Sequence, residues 1–415
     1  MNVLAVALTW VVAGGLGSLL LPRLRLRRLA ALVPLAAAVA ALVSLGSGPD
    51  LVAVAAPGGL QLGRAAGGLV LLGAIASTVF LLLSPPPDEA GVFTLAGCGA
   101  LSALALASGS PLAWAVCLVA GFGLHGTRLV AVAPSRTTLA AARLGTFGSA
   151  CLLAAAPFLP VGVASLRTRG ELAGGLLAGG IAVGVALLPT GGWVSGVARV
   201  GHGNALAPWA LLLLPALLLS AQPLQAALPA SARSVFGFIL LPGGAITAGW
   251  SAARGLAAGD SGRYVRVLLV DVGLVSMGLA APEPGARLGS LLLVVTHLCI
   301  APLLLQGTSL SAVRPRRLAW LALSGVPPGP AFWGRFALLA ALTEAFGGRP
   351  LLVAVPATGA ILLVALRAAI AAAEPGPPAH PQGPATRLAA WLPPLAAVTL
   401  GLVPQAALRA LFGTG

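Results

Sequence analysis

Residues 321–338 read LALSGVPPGPAFWGRFAL. Apolar sequence continues on both sides of the PPGP, from Leu318 to Ala340. That length matches the roughly 20 residues a helix needs to cross a bilayer core. Proline has no amide hydrogen and collides with the preceding turn, so Pro327 and Pro328 interrupt the helix in mid-membrane. Carbonyls freed at such a point must find partners inside the protein, because lipid offers none. The segment therefore predicts a membrane helix broken midway, with Arg335 just past the break.

An earlier stretch is interrupted in a similar way. Val183–Gly196 reads VGVALLPTGGWVSG, with its break near Pro189. Each stretch runs through an apolar helical segment, a proline, glycines, a tryptophan (Trp193, Trp333) and another glycine. The earlier one reads equally well as the start of a Pro-Gly loop. Interrupted helices at corresponding places in two halves point to a transporter-like chain built from repeats.

The rest of the chain agrees with a membrane protein. Of 415 residues, 58% are hydrophobic and only 8% charged, against about 25% charged in a soluble domain. Mean hydropathy is +1.01. So few charges exclude a soluble enzyme, a disordered chain and a nucleic-acid binder, despite a net charge of +15. All 24 basic residues are arginine; with 55 Gly and 34 Pro this reads as the codon bias of a GC-rich genome. Cys98, Cys117, Cys151 and Cys299 lie in apolar runs without a CxxC, so they read as packing residues. No metal site, phosphate loop, nucleotide fingerprint, haem or iron–sulfur spacing is present, and no cofactor is expected in this chain.

Windows of membrane length give about fourteen spans, near 2–22, 29–46, 64–84, 92–108, 111–131, 138–160, 173–190, 206–221, 233–253, 264–281, 288–306, 317–345, 349–373 and 388–411. The first apolar run, Val3–Leu21, is read as a spanning helix and not a cleaved signal. The Pro-rich EPGPPAHPQGPATR at 374–387 reads as a surface linker. Arginine is distributed unevenly between alternate loops. One set carries Arg23, Arg25, Arg27, Arg28, Arg128, Arg136, Arg143, Arg199, Arg254, Arg263, Arg266, Arg314, Arg316, Arg317, Arg367 and Arg387. The other carries Arg64, Arg167, Arg169, Arg233, Arg287 and Arg349. The positive-inside rule makes the first set cytoplasmic and puts both termini outside the cytoplasm; Arg409 in the short tail fits this less well.

With those features in place, LALSGVPPGPAFWGRFAL resembles the SLxGxPPxxGFxxKF signature around the broken twelfth helix of antiporter-like membrane subunits. These occur in respiratory complex I, multi-subunit sodium/proton antiporters and membrane-bound hydrogenases. Leu292–Gly307, LLVVTHLCIAPLLLQG, is similar to the family's eleventh helix. Leu188–Leu206, LPTGGWVSGVARVGHGNAL, looks like a worn PFHxWLPDAxxGAP turn. The C-terminal linker and last helix are most similar to subunit N of NADH-quinone oxidoreductase. The resemblance implies an all-α polytopic fold of about fourteen helices, with two inverted five-helix repeats and discontinuous helices 7 and 12. It divides the chain into three N-terminal helices (1–91), a first repeat (92–221), a second repeat (222–374), and a polar linker with the last helix (375–415). It also implies a multi-pass protein of the bacterial inner membrane, partnered by other membrane subunits and lipids, with quinone reached only through partner subunits and no nucleic acid.

In that family a row of charged residues at mid-membrane loads and releases protons. A charge there costs about 2.5–3.5 kcal/mol on insertion scales and persists for function. This chain departs from the row. The fifth-helix Glu falls on Ala120, the seventh-helix Lys on Gly184, the eighth-helix Lys on Ala216 and the eleventh-helix Lys on Ala301. Only the twelfth-helix position keeps a charge, as Arg335, and arginine does not readily give up its proton.

Asp271, His297 and Arg335 are the proton-path candidates that remain. Asp271 must be paired or functional, with Ser276 or an arginine as its partner. His297 reads either as a relay or as a neutral, hydrogen-bonded histidine. Arg335 reads as a charge on freed carbonyls or on a neighbouring carboxylate. His125 and Arg128, one turn apart near a helix end, read as a solvated interface pair. Glu344 reads as a helix-end residue. Asp50, Asp88, Glu89, Glu171, Glu283 and Glu374 read as loop residues. The function expected is an antiporter-like membrane-arm subunit with a degenerate charge row, mainly structural or a half-channel. The alternatives are an active proton or cation translocator and, from another class, an unrelated solute transporter or lipid flippase.

Overall fold

The structure is a computed structural model that describes residues 3–23, 27–46, 64–84, 88–108, 110–132, 135–158, 167–199, 203–257, 262–306, 312–372 and 384–404. Arg25, Asp50, Glu374, Arg409 and most of the 374–387 linker lie outside these residues. Among the described residues the elements are helical, with no β-strand. They are α1 (Val3–Arg23), α2 (Leu32–Gly46), α3 (Arg64–Leu83), α4 (Glu89–Ala107), α5 (Pro111–Val132), α6 (Arg136–Ala155), α7 (Arg167–Gly184), α8 (Gly192–Arg199), α9 (Leu214–Ala227), α10 (Ala230–Ala257), α11 (Arg263–Ala280), α12 (Pro284–Leu304), α13 (Val313–Leu323), α14 (Pro330–Phe346), α15 (Leu351–Ala371) and α16 (Pro384–Leu402). Eight helices among the described residues are long and apolar enough to cross a membrane. α11 is as long as some of these but carries Arg263, Arg266 and Asp271.

Local chemistry sets the ends. Asp88 caps α4 by accepting from the Gly91 amide at 3.0 Å. Ser135 and Thr138 form a reciprocal capping box at the start of α6. α4 starts at Glu89 and α9 runs to Ala227, so the expected divisions after 91 and 221 fall inside helices.

Both interruptions separate two helices. α7 stops at Gly184 and α8 starts at Gly192; α13 stops at Leu323 and α14 starts at Pro330. Two residues past each stop the backbone turns left-handed, at Ala186 (φ 63°) and Gly325 (φ 81°). Glycine takes that conformation freely, whereas at Ala186 it costs roughly 1–2 kcal/mol. The Leu188–Pro189 and Pro327–Pro328 peptide bonds are cis.

Packing follows small residues, as expected where lipid supplies no hydrophobic drive between helices. α10 crosses α11 at Gly244 and Gly273, where a Cβ on Gly244 would sit 2.5 Å from the Gly273 carbonyl oxygen. α12 crosses α14 at Gly289 and Gly334, where a Cβ on Gly289 would sit 2.6 Å from the Gly334 oxygen. α11 is buried along nearly its whole length between α10, α12, α14 and α15. A π-helical stretch, Trp209–Leu213, leads into α9, which joins the halves by packing on α4, α7, α11 and α12.

Candidate functional site

Three helices bring Asp271, His297 and Arg335 together. Asp271 on α11 accepts twice from Arg335 on α14: Nε to Oδ1 at 2.9 Å and Nη2 to Oδ2 at 2.8 Å. The same Oδ2 lies 2.9 Å from Nε2 of His297 on α12. His297 Nδ1 is in turn 3.3 Å from the hydroxyl of Tyr264, two turns before Asp271 on α11. A neutral imidazole has one N–H and one bare nitrogen. If Nε2–H donates to the carboxylate, Nδ1 is left to accept from the tyrosine hydroxyl, and both ring nitrogens of His297 are satisfied. Asp271 and Arg335 are each 1% exposed, His297 6%.

The break supplies the last contact. In an unbroken helix the Leu323 carbonyl would accept from the amide of residue 327, but that residue is proline and has no amide hydrogen. Arg335 Nη1 donates to it instead, at 2.9 Å. Gly325 crosses directly over the guanidinium, where a Cβ would come 2.7 Å from Nη1. Trp333 ties the same break to α16 by donating to the Gly401 carbonyl at 3.2 Å. With a neutral histidine the cluster carries one negative and one positive charge, so its net charge is zero. A buried pair with this geometry and these extra hydrogen bonds can offset its desolvation cost.

The first half handles its break without charge. The Leu188 amide, which would have served Gly184, donates to Thr247 Oγ1 at 2.8 Å. The Gly184 carbonyl accepts from Trp209 Nε1 at 2.9 Å. The two breaks are thus matched in backbone and sealed differently, one by an indole and one by a guanidinium.

The remaining family positions hold no polar side chain. A Cβ on Gly184 would lie 2.5 Å from Leu217 Cδ2 and 3.2 Å from Phe122 Cζ, so the space a longer side chain would need is filled. Ala216 and Ala301 are buried, at 0% and 1% exposure, whereas Ala120 is exposed on the outer face of α5. Between these halves, a cavity of about 20 Å³ touches Asp271 and His297 and is lined on one side by Leu214, Pro215 and Leu218 of α9. It has room for about one water.

Several expectations change. Ser276 is not the partner of Asp271; its hydroxyl donates to the Val272 carbonyl of its own helix at 2.8 Å. His125 is not at a solvated interface. It is 2% exposed, neither ring nitrogen has a hydrogen-bond partner, and its ring faces Trp193 at 6.3 Å. Arg128 does reach the surface, where it pairs with Asp88. Partial burial pushes the Asp88 carboxyl up, but Arg128 and the Gly91 amide outweigh it and hold the group below its ordinary value. Glu344 is exposed. The sequence reading missed Tyr264. The signal was available: it is the chain's single tyrosine and lies seven residues, two helical turns, before Asp271.

No family model matches this chain, and no curated protein matches it by sequence. Solved structures do. A chain of respiratory complex I from Thermus thermophilus with bound aureothin is 20% identical, each chain covered in full, with a TM-score of 0.78. A chain of the membrane-bound sulfane sulfur reductase, an archaeal respiratory membrane complex, is 13% identical over 98% of this chain and 77% of its own, with a TM-score of 0.80. A chain of the Mrp complex from Dietzia sp. DQ12-45-1b is 16% identical, with a TM-score of 0.80; it covers all of this chain, which spans about half (52%) of its length. At such identities the likeness concerns the fold alone: this chain is folded like these chains of the respiratory and Mrp complexes.

Proposed function

We propose that this chain is an antiporter-like membrane-arm subunit of a complex I-type assembly whose proton-translocating row has been reduced to one closed cluster. Its work is mainly structural, with at most a half-channel in the second half. The observation that carries this reading is the bidentate Asp271–Arg335 pair held on the Leu323 carbonyl. It uses the one buried carboxylate among the described residues to lock a broken helix. A translocating site needs a group that alternates between two protonation states, and arginine does not do so at physiological pH. The first half, α4 to α9, has no buried carboxylate or arginine among the side chains described.

On this reading the chain makes fourteen crossings, with α7–α8 and α13–α14 each forming one discontinuous span. The matched left-handed turns at Ala186 and Gly325 support two inverted repeats. The chain lies in a bacterial inner membrane, termini outside, among other membrane subunits and lipids, with quinone handled by partners; the resemblance to subunit N supports that position in the arm. Reporter fusions in the Arg314–Arg317 connection should read cytoplasmic. An external reading there would reverse the orientation.

The functional test uses Asp271→Asn, His297→Ala and Arg335→Met made singly, with complex assembly and ion transport per assembled complex measured separately. Lost assembly with unchanged specific transport is the expected result. Intact assembly with transport abolished by any one change would establish an active translocator instead.

A further inference from the structure

The first half contains a cleft of about 550 Å³ between α5, α6, α7 and α8 that the charge-cluster reading leaves unused. Along α5 its lining runs from Val119 to Val130, and along α6 from Ala141 to Leu152. The eleven helical steps from first to last residue make it roughly 16 Å long. One end lies level with Arg128, which pairs with Asp88 at the start of α4. The other reaches Gly184 at the helix break. The cleft is therefore a slot running from headgroup depth toward the membrane interior.

Its walls are apolar and its volume comes from glycines. Water does not account for it well. A space this size would hold on the order of ten waters, each needing two to four polar partners. Thr127 and Thr146 use their hydroxyls on carbonyls of their own helices, Leu124 at 2.9 Å and Ala142 at 3.0 Å. Ser149 adds one more hydroxyl to the lining, and His125 is the one lining side chain with two buried polar atoms left unpartnered. It is 2% exposed, it lines the slot one turn inside Arg128, and both ring nitrogens lack a partner. Leaving a buried polar atom unsatisfied costs about 1–3 kcal/mol. A neutral imidazole offers one donor and one acceptor on opposite edges of its ring, and a hydroxyl can pair with either one. Mostly apolar pockets of 300–1,000 Å³ with a few placed polar groups are the usual form of small-molecule sites.

We infer that this slot binds a single long-chain amphiphile, its alkyl chain lying toward Gly184 and a hydroxyl-bearing end on His125. This goes beyond the proposed function and does not depend on whether the second half conducts. The assembled complex, in detergent, is photolabelled with hexadecanol carrying a diazirine on its chain, and labelled peptides are mapped by mass spectrometry. Gly145 lines the slot, and a Cβ there meets nothing within 4 Å, so Gly145→Leu fills the slot without a clash. Gly123 is equally open and serves as the second blocking variant should the first not assemble.

The expected result is saturable labelling on α5–α8 peptides that falls at least fivefold with excess plain hexadecanol and with Gly145→Leu. His125→Leu should raise the half-saturating concentration about fivefold, the value of one ordinary hydrogen bond. Native mass spectrometry of the unlabelled complex tells a resident membrane lipid from a free alcohol: a lipid mass lost in Gly145→Leu identifies the former, and its absence beside saturable labelling the latter. Labelling that rises linearly with probe, or is unchanged by either glycine variant, overturns the inference. So does label confined to a helix of another subunit seated in the slot.

Discussion

Asp271→Val combined with Arg335→Met should assemble far better than Arg335→Met alone. Removing only the arginine leaves a carboxylate buried between α11, α12 and α14, and breaking one partner of a buried pair costs roughly 3–5 kcal/mol. The Leu323 carbonyl loses its donor as well, which adds about 1–3 kcal/mol. Ordinary stabilities are only about 5–15 kcal/mol, so the single variant should lose most of its assembled complex. Replacing both charges with apolar side chains removes the unpaired ion, and such exchanges are often neutral or better. Valine has room to fit, because the cavity of about 20 Å³ borders Asp271. The double variant should therefore recover most of the loss, falling short by the unsatisfied Leu323 carbonyl and the missing acceptor of His297. Native gel electrophoresis of membranes gives the assembled fraction, and transport divided by that fraction gives specific activity. Double and native chains of equal specific activity would mean that the cluster holds the fold and carries no current. A double variant that assembles but no longer transports would make the same residues a conduction site.

Why the cluster forms was partly legible in the sequence. PPGP marks the break, and Pro327 by itself identifies the carbonyl that goes without an amide. What the sequence did not show is that Asp271 and Arg335, 64 residues apart, meet. That depends on α12 and α14 approaching through Gly289 and Gly334, which is a property of two helices and not of either one. Gly334 precedes Arg335, so the close crossing also fixes where the guanidinium is aimed. Tyr264 could have been found by asking what shares the Asp271 face of α11. His125 was misread for a different reason. Nearness to Arg128 suggested solvent, but three residues along a helix turn the side chain by about 300°. Arg128 reaches out to Asp88 while His125 points in between α5 and α8. In the first half, alignment identified Gly184 as the vacant lysine position; the filling of that space by Leu217 and Phe122 came only from the packed structure.

That filled space makes the last prediction a severe one. Gly184→Lys, which restores the family's residue type, should abolish assembly and should not restore translocation. The new Cβ would lie 2.5 Å from Leu217 Cδ2 and 3.2 Å from Phe122 Cζ. Overpacking of this kind costs about 1–3 kcal/mol. An ammonium near mid-membrane adds about 2.5–3.5 kcal/mol unless a partner offsets it. Of the acidic residues of the first half, Asp88 and Glu89 stand at the start of α4 and Glu171 in the second turn of α7, some thirteen residues before Gly184, and Asp88 already serves Arg128. No carboxylate is within reach. The sum, roughly 4–6 kcal/mol, is enough to reduce assembled complex well over tenfold. Adding Leu217→Ala separates the two costs: it relieves the crowding and leaves the charge. Partial recovery of assembly with no gain in transport is the expected outcome, because a lysine without a carboxylate partner or a wet path has nowhere to pass its proton. If Gly184→Lys instead assembles normally and transport rises, the first half must already hold a conducting path that lacked only its charge. The sealing of the Gly184 break by Trp209, and the apolar wall that α9 sets against Asp271, would then have to open during turnover.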